Sequence, residues 1–215
     1  MAENNIYDVE NIKSFDRLDY VYRDEDDFYY YMGRVKNIIK RKSFAFSPDE
    51  IVKAISKHPN VKDCVVVPRH SDSEGETPSA HIVLRNYENV SKTMNEIISL
   101  VDENVQEFHR PTDYKIREKL VITRNNKIDI TALKIEDTIS MYPGVKSVNI
   151  ESQNDGNYDY QVHLETVNGI TEDEVMEYLK SIANIMKFNV GKIKFIINYI
   201  NYEDEAKVNS YVKHI

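Results

Sequence analysis

From residue 15 onward, apolar and polar positions fall into a succession of short strands and amphipathic helices. Tyr20-Val21-Tyr22 and Phe28-Tyr29-Tyr30-Tyr31 flank the acidic stretch Arg23–Asp27, the pattern of a hairpin around a polar turn. Ser47-Pro48-Asp49-Glu50 predicts a helix start: Ser47 as N-cap, Pro48 in the first turn and Glu50 closing a capping box. The helix carries Ile51 and Ile55 on one face and ends at His58-Pro59-Asn60. A strand follows at 61–67, then a polar loop, HSDSEGETPS, and a second strand at 80–85. Met94, Ile97, Ile98, Val101 and Val105 have helical spacing and predict a helix over about 91–106. A third strand is predicted at 114–122. The order is α-β-β-α-β.

The last eighty residues repeat that order. Ile51, Ile55, Ser56, Pro59, Val61 and Lys62 recur as Ile135, Ile139, Ser140, Pro143, Val145 and Lys146, a constant spacing of 84 positions (143 − 59). The strand with Ile82 and Leu84 corresponds to the one with Val162 and Leu164, at a spacing of 80 (162 − 82). A helix from Thr171 to about Phe188 and a strand over 192–200 complete the unit. Duplication of one module accounts for this, and convergence on a common module is the alternative.

Composition narrows the functional classes. The 215 residues are enough for one or two globular cores, and no apolar run approaches the ~20 residues needed to span a bilayer. The polar, acidic N-terminus is unlike a secretory signal, so a cytoplasmic protein without membrane association is expected. The single cysteine, Cys64, lies in an apolar strand and reads as a small buried hydrophobe. The net charge is −8 and the basic residues are scattered, so no face can neutralise a phosphate backbone. The fifteen tyrosines sit mostly in strand-like alternations rather than a base-stacking array. Nucleic acid is therefore not an expected partner. The six histidines have no metal-ligand spacing.

Two segments carry candidate chemistry: GRVKNIIK at 33–40 and RNNKIDITAL at 124–133. Their order, with the αβ pattern between them, resembles the small C-terminal domain of the AMP-forming ligases, the acyl-CoA synthetases, peptide-synthetase adenylation domains and luciferases. The resemblance covers residues 15–133. It implies an α+β fold, an α-β-β-α-β sheet with helices on one side, followed here by a second, degenerate copy. The expected divisions are a hairpin arm and linker at 1–32, the ligase-like domain at 33–133 and a second, ferredoxin-like module at 134–215.

The resemblance also implies roles for residues. Lys127 matches the lysine that bridges the α-phosphate of ATP and the attacking carboxylate, a catalytic role. Where the family has serine–glycine before that lysine, this chain has Asn125-Asn126, and asparagine tolerates a left-handed backbone well enough to keep the turn. Asp19 and Arg34 match positions that hold the nucleotide ribose or a phosphate; a hairpin acid and an arginine paired with the acidic turn are their structural alternatives. Lys36 matches the hinge about which the small domain rotates. Lys40 and Lys42 could meet phosphates of coenzyme A or of a phosphopantetheine arm, or could be a solvated charge run. Ser43 replaces a glycine beside the pantetheine path, which weighs against thioester formation more than against adenylation.

The family's large N-terminal domain, with its phosphate loop and acid pocket, is not in these residues. The expected activity is therefore that of a split ligase. The chain would be inactive alone and would supply Lys127 in trans to a separate large-domain protein that binds ATP or AMP with Mg. A carrier protein is a further expected partner. The alternative is a non-catalytic regulatory protein that retained the scaffold. The Met-Ala-Glu start and the extra module favour a stand-alone chain over a fragment.

Overall fold

The computed structural model describes residues 12–13, 19–34, 37–153, 156–167 and 169–200. The chain forms two compact units, 1–120 and 121–215.

The first unit opens with a three-stranded antiparallel sheet, β1 (Ile12–Lys13), β2 (Asp19–Arg23) and β3 (Tyr29–Arg34). The β2–β3 turn is closed by Asp24, whose amide donates to the Phe28 carbonyl and whose Oδ1 accepts from the amides of Asp26 and Phe28. A short hairpin, β4 (Ile39–Arg41) and β5 (Phe44–Phe46), then leads into α1 (Asp49–Ser56). The N-cap position falls on Pro48 rather than Ser47 and has no side-chain cap; the Ser47 hydroxyl, one residue earlier, accepts from the Asp49 amide at 3.2 Å. The capping box is not formed. Glu50 turns instead to His109, whose ring stacks on Phe46, because a distant partner outcompetes the local one.

β6 (Val61–Ser71) and β7 (Gly75–Leu84) form an antiparallel hairpin longer than the sequence pattern suggests. Most of the polar stretch read as a loop is strand, with His70 opposite Glu76 and Ser71 opposite Gly75. Gly75 has φ +81°, and a Cβ there would lie 3.2 Å from the Lys40 carbonyl, so glycine permits both the turn and the approach of β4. α2 (Val90–Asn104) crosses over to β8 (Asp113–Arg117), which pairs parallel with β7. β8 is shorter than predicted, and Val121 and Ile122 lie beyond it. Ile51 and Ile55 of α1 and Ile97 and Val101 of α2 pack with Val66, Ile82 and Leu84 in one core. Both helices therefore cover the same face of the sheet.

The second unit comprises α3 (Ile130–Ile139), β9 (Val145–Ser152), β10 (Tyr160–Val167), α4 (Glu172–Met186) and β11 (Ile193–Ile200). β9 and β10 pair antiparallel and β10 and β11 parallel, the senses seen in β6–β7 and β7–β8. Its core holds Ile135, Ile139, Ile150, Val162, Leu164, Leu179 and Phe195. The division falls after Leu120 rather than after residue 133, so the RNNKID segment folds with the second unit. The reason is local: the Asp129 amide donates to the Val121 carbonyl at 2.8 Å, and Val121 packs against the second core.

Local geometry repeats between the units. The amides of Lys57, His58 and Val61 donate to the carbonyls of Ala54, Ile55 and His58. Those of Met141, Tyr142 and Val145 donate to Thr138, Ile139 and Tyr142, each 84 positions on. A bulge follows in both hairpins, between Val61 and Asp63 and between Val145 and Ser147. Beyond it the register sets the spacing at 82, not 80: Ile82 faces Cys64 as Leu164 faces Val148 (164 − 82). The buried helix residues Thr93, Ile97 and Val101 correspond at 82 to Val175, Leu179 and Ala183.

Candidate functional site

The lysine segment is a closed hairpin turn. Ile122 and Ile128 form an antiparallel bridge, and the Thr123 amide donates to the Lys127 carbonyl at 2.7 Å. The Asn126 amide returns to the Thr123 carbonyl at 3.0 Å, and the Lys127 amide donates to Thr123 Oγ1 at 3.3 Å. Asn126 has φ +55°. Three loop residues with the last left-handed are a standard hairpin connection, which explains a glycine or asparagine immediately before the lysine. Lys127 is exposed at the end of this turn. An ammonium displayed on a backbone that is itself hydrogen-bonded can be aimed at a ligand without first ordering the loop.

Asp129 ends the turn and starts the next element. Its Oδ1 accepts from the Ala132 amide at 3.0 Å, capping α3, and Oδ2 accepts from the Ser152 hydroxyl at 3.0 Å. The Tyr160 hydroxyl donates to Oδ1 at 3.4 Å. Burial first, and then the Asp129 charge and hydrogen bond, push the Tyr160 phenol well above its ordinary value. A polar cleft of about 470 Å³ lies beside the turn, lined among others by Thr123, Arg124, Asn125, Tyr158, Tyr160 and Lys192.

Asp19 and Arg34 lie directly opposite each other in the β2–β3 ladder, and Arg34 is exposed. Lys36 lies outside the described residues. Lys40 and Lys42 are both exposed on the β4–β5 hairpin, where Lys42 takes φ +53°. Their surroundings are acidic. The Lys40 amide donates to Glu76 Oε2 at 2.7 Å, and Lys42 Nζ lies 3.5 Å from Glu74 Oε1. Ser43 is exposed in the same turn. Cys64 is buried, and burial pushes its thiol up, in keeping with a structural residue. Among the described residues no group of three or more His, Cys, Asp or Glu side chains could hold a metal ion, and no helix is long and apolar enough to cross a membrane.

The sequence pattern marks Lys127, with Asp129 only as part of the same motif, and assigns no role to Thr123, Ser152 or Tyr160, which together with Asp129 fix the turn. Asp129 could have been recognised as a helix cap, since it directly precedes Ile-Thr-Ala-Leu. Ser152 and Tyr160 had no local signal.

Residues 50–127 match the model of the AMP-binding enzyme C-terminal domain. This segment belongs to the C-terminal domain family of the adenylate-forming ligases. The chain is 34% identical over 107 residues to a crotonobetaine/carnitine–CoA ligase of Citrobacter koseri, covering 50% of this chain and 20% of that protein. It is 33% identical over 89 residues to 4-coumarate–CoA ligase 2 of Nicotiana tabacum, covering 41% and 16%. The chain thus spans about a fifth of the length of the curated relatives it matches. Among solved structures, o-succinylbenzoate CoA synthetase from Bacillus subtilis, in complex with its acyl-adenylate, aligns over 54% of this chain and 23% of that one, with 22% identity and a TM-score of 0.46. The family match ends at Lys127 itself, so the ligase C-terminal segment reaches just into the second unit.

Proposed function

We propose that this chain serves as the lysine-bearing lid of an AMP-forming ligase, supplied in trans to a separate large-domain protein that binds ATP and a carboxylic or amino acid. The observation that carries the reading is the exposed Lys127 on a hydrogen-bonded turn at the end of the family-matched segment. In such a site the acid carboxylate attacks the α-phosphorus and pyrophosphate leaves, although both reactants are negative. A lysine ammonium between them keeps its proton, relieves the repulsion and stabilises the charge gathered on the phosphorus oxygens, a contribution that is mainly electrostatic. Asp19 and Arg34, opposite each other on one hairpin, would hold the nucleotide ribose or a phosphate. Lys36 would be the hinge. Mg would arrive with ATP on the partner domain.

Mixing the chain with a large-domain partner should raise acid-dependent ATP–pyrophosphate exchange, and Lys127→Ala should remove about 10²–10³-fold of that rate while leaving the complex intact. Equal rates with wild type and Lys127→Ala would reject the lid role. The chain alone should catalyse no exchange.

A second reading is a regulatory protein built on the ligase scaffold. It is favoured by the acidic residues around the β4–β5 hairpin: Arg41, between the two candidate phosphate lysines, is engaged by Glu74 and the Phe108 carbonyl. Coenzyme A or phosphopantetheine would then have only Lys40 and Lys42 to meet, and a carrier protein would have no thioester to receive. We further propose that the second unit is a degenerate copy of the first. The hydrogen bonds at a spacing of 84 and the shared bulge support that origin.

A further inference from the structure

The turn bearing Lys127 is held at its base by residues beyond the family-matched segment, which stops at residue 127. Ser152 is the last residue of β9 and Tyr160 the first of β10, and the two are direct partners across the ladder. Both hydroxyls converge on one carboxylate, that of Asp129, two residues after the lysine. That carboxylate is buried, at 8% exposure, and also caps α3 through the Ala132 amide. A buried carboxylate held by three hydrogen bonds, two at 3.0 Å and the longer Tyr160 contact at 3.4 Å, is costly to move, because displacement leaves it unpaired. One end of the turn is thereby fixed to a rung of the second sheet, and the other end is fixed by Val121 in the second core. The tip, residues 124–127, is exposed, as is Ile122 at the base, while Asp129 is buried.

We propose that Ser152 and Tyr160 are positioning residues for Lys127: the second unit braces the lysine turn by clamping Asp129. Its catalytic meaning rests on the lid reading given above, whereas the bracing itself does not. The sheet of the second unit then has a task that follows from its geometry. It converts a surface turn into a rigid mount, so that the ammonium is presented without a search through loop conformations.

Amide hydrogen exchange on the full chain tests the brace directly. In the double variant Ser152→Ala/Tyr160→Phe, the amides of Asn126, Lys127 and Asp129 should exchange about tenfold faster. The amides of Val162 and Leu164, in the middle of β10, should keep their protection. Ser152→Thr, which preserves the hydroxyl, should behave as wild type. With a large-domain partner, the double variant should lower the maximal rate of pyrophosphate exchange and leave the half-saturating concentration of this chain unchanged. Unaltered exchange at the three turn amides overturns the proposal. So does an equal loss of protection at Val162 and Leu164, since the pair would then merely hold the sheet together. Faster turn exchange, combined with a partner rate indifferent both to the double variant and to Lys127→Ala, would instead remove the lid reading and leave the brace in place.

Discussion

Arg41 grips Glu74 through two nitrogens, with Nε at 3.1 Å and Nη2 at 2.7 Å from the same oxygen, Oε2. Its remaining nitrogen donates to the Phe108 carbonyl at 2.6 Å, and the guanidinium lies 4.8 Å from the centre of the Phe108 ring. Charge-assisted contacts of this kind, largely shielded from water, exceed what exposed ion pairs contribute. The guanidinium could turn toward a ligand only by releasing three partners.

Replacing Arg41 by alanine should therefore destabilise the first unit by about 1–3 kcal/mol in urea unfolding. Lys40→Ala and Lys42→Ala should each stay within about 0.5 kcal/mol, as exposed positions do. The Arg41 guanidinium holds the Glu74 carboxyl below its ordinary value of 4.5. A depressed carboxyl stabilises the fold above that value and loses its effect as pH falls, so the Arg41→Ala penalty should shrink below pH 4.5.

Ile55 and Ile139 stand 84 positions apart, each with no exposed surface, in separate cores. An aspartate at either position would bury an uncompensated charge, costing on the order of 4 kcal/mol. Hydrogen exchange should report Ile139→Asp as lost protection in β9, β10 and β11, and Ile55→Asp as lost protection in β6, β7 and β8. If Ile139→Asp were tolerated while Ile55→Asp was not, the claim of equivalent core positions would fail.

Alkaline titration should distinguish two tyrosines. Burial, helped by the Asp102 charge, pushes Tyr114 up to about 12 from an ordinary value of 10. Tyr160 is raised as well, by burial first and then by Asp129. A raised phenol favours the neutral folded form, so this stabilisation is complete below pH 10 and disappears as pH climbs through the folded value. Asp129→Asn should lower the Tyr160 transition, followed by ultraviolet absorbance, and leave that of Tyr114 where it is.

Thr171 caps α4 in a complete capping box: its hydroxyl accepts from the Glu174 amide at 3.3 Å while Glu174 accepts from the Thr171 amide at 2.8 Å. Thr171→Ala should cost about 1 kcal/mol, or about 4–8 °C in Tm for a unit of this size. Thr171→Ser should recover most of it. A Tm unmoved by Thr171→Ala would mean that this helix start is held by packing alone.

What the sequence reveals depends on how far apart the interacting residues lie. The amphipathic spacing of Ile51 with Ile55, and of Ile97 with Val101, is a local signal, and both helices form where it indicates. The turn before Lys127 was equally legible, because the left-handed Asn126 is a property of one residue type at one position. Strand lengths were less so. β8 stops at Arg117, where its partner Val83 nears the end of β7, and nothing within Tyr114–Ile122 encodes that limit. The Glu50 capping box was a correct local pattern displaced by His109, fifty-nine residues away. The Asp129 clamp was invisible for the same reason: Ser152 and Tyr160 meet it only through the fold.

The bulges after Val61 and Val145 have a bearing on how such chains tolerate editing. In an undistorted strand, side chains three apart point to opposite faces. Val61 and Cys64 are three apart, yet both are buried, with Lys62 and Asp63 outside between them. The extra residue is thus a phase corrector between the rhythm of the helix and that of the strand. Deleting Lys62 or Lys146 would remove that extra residue and restore plain alternation: Val61 and Cys64, then two apart, would keep the inner face and their partners Leu84 and Ile82, and the strand would lose only its local kink. The two bulges are therefore the points at which these strands can lose a residue and still keep every side chain on its own side of the sheet.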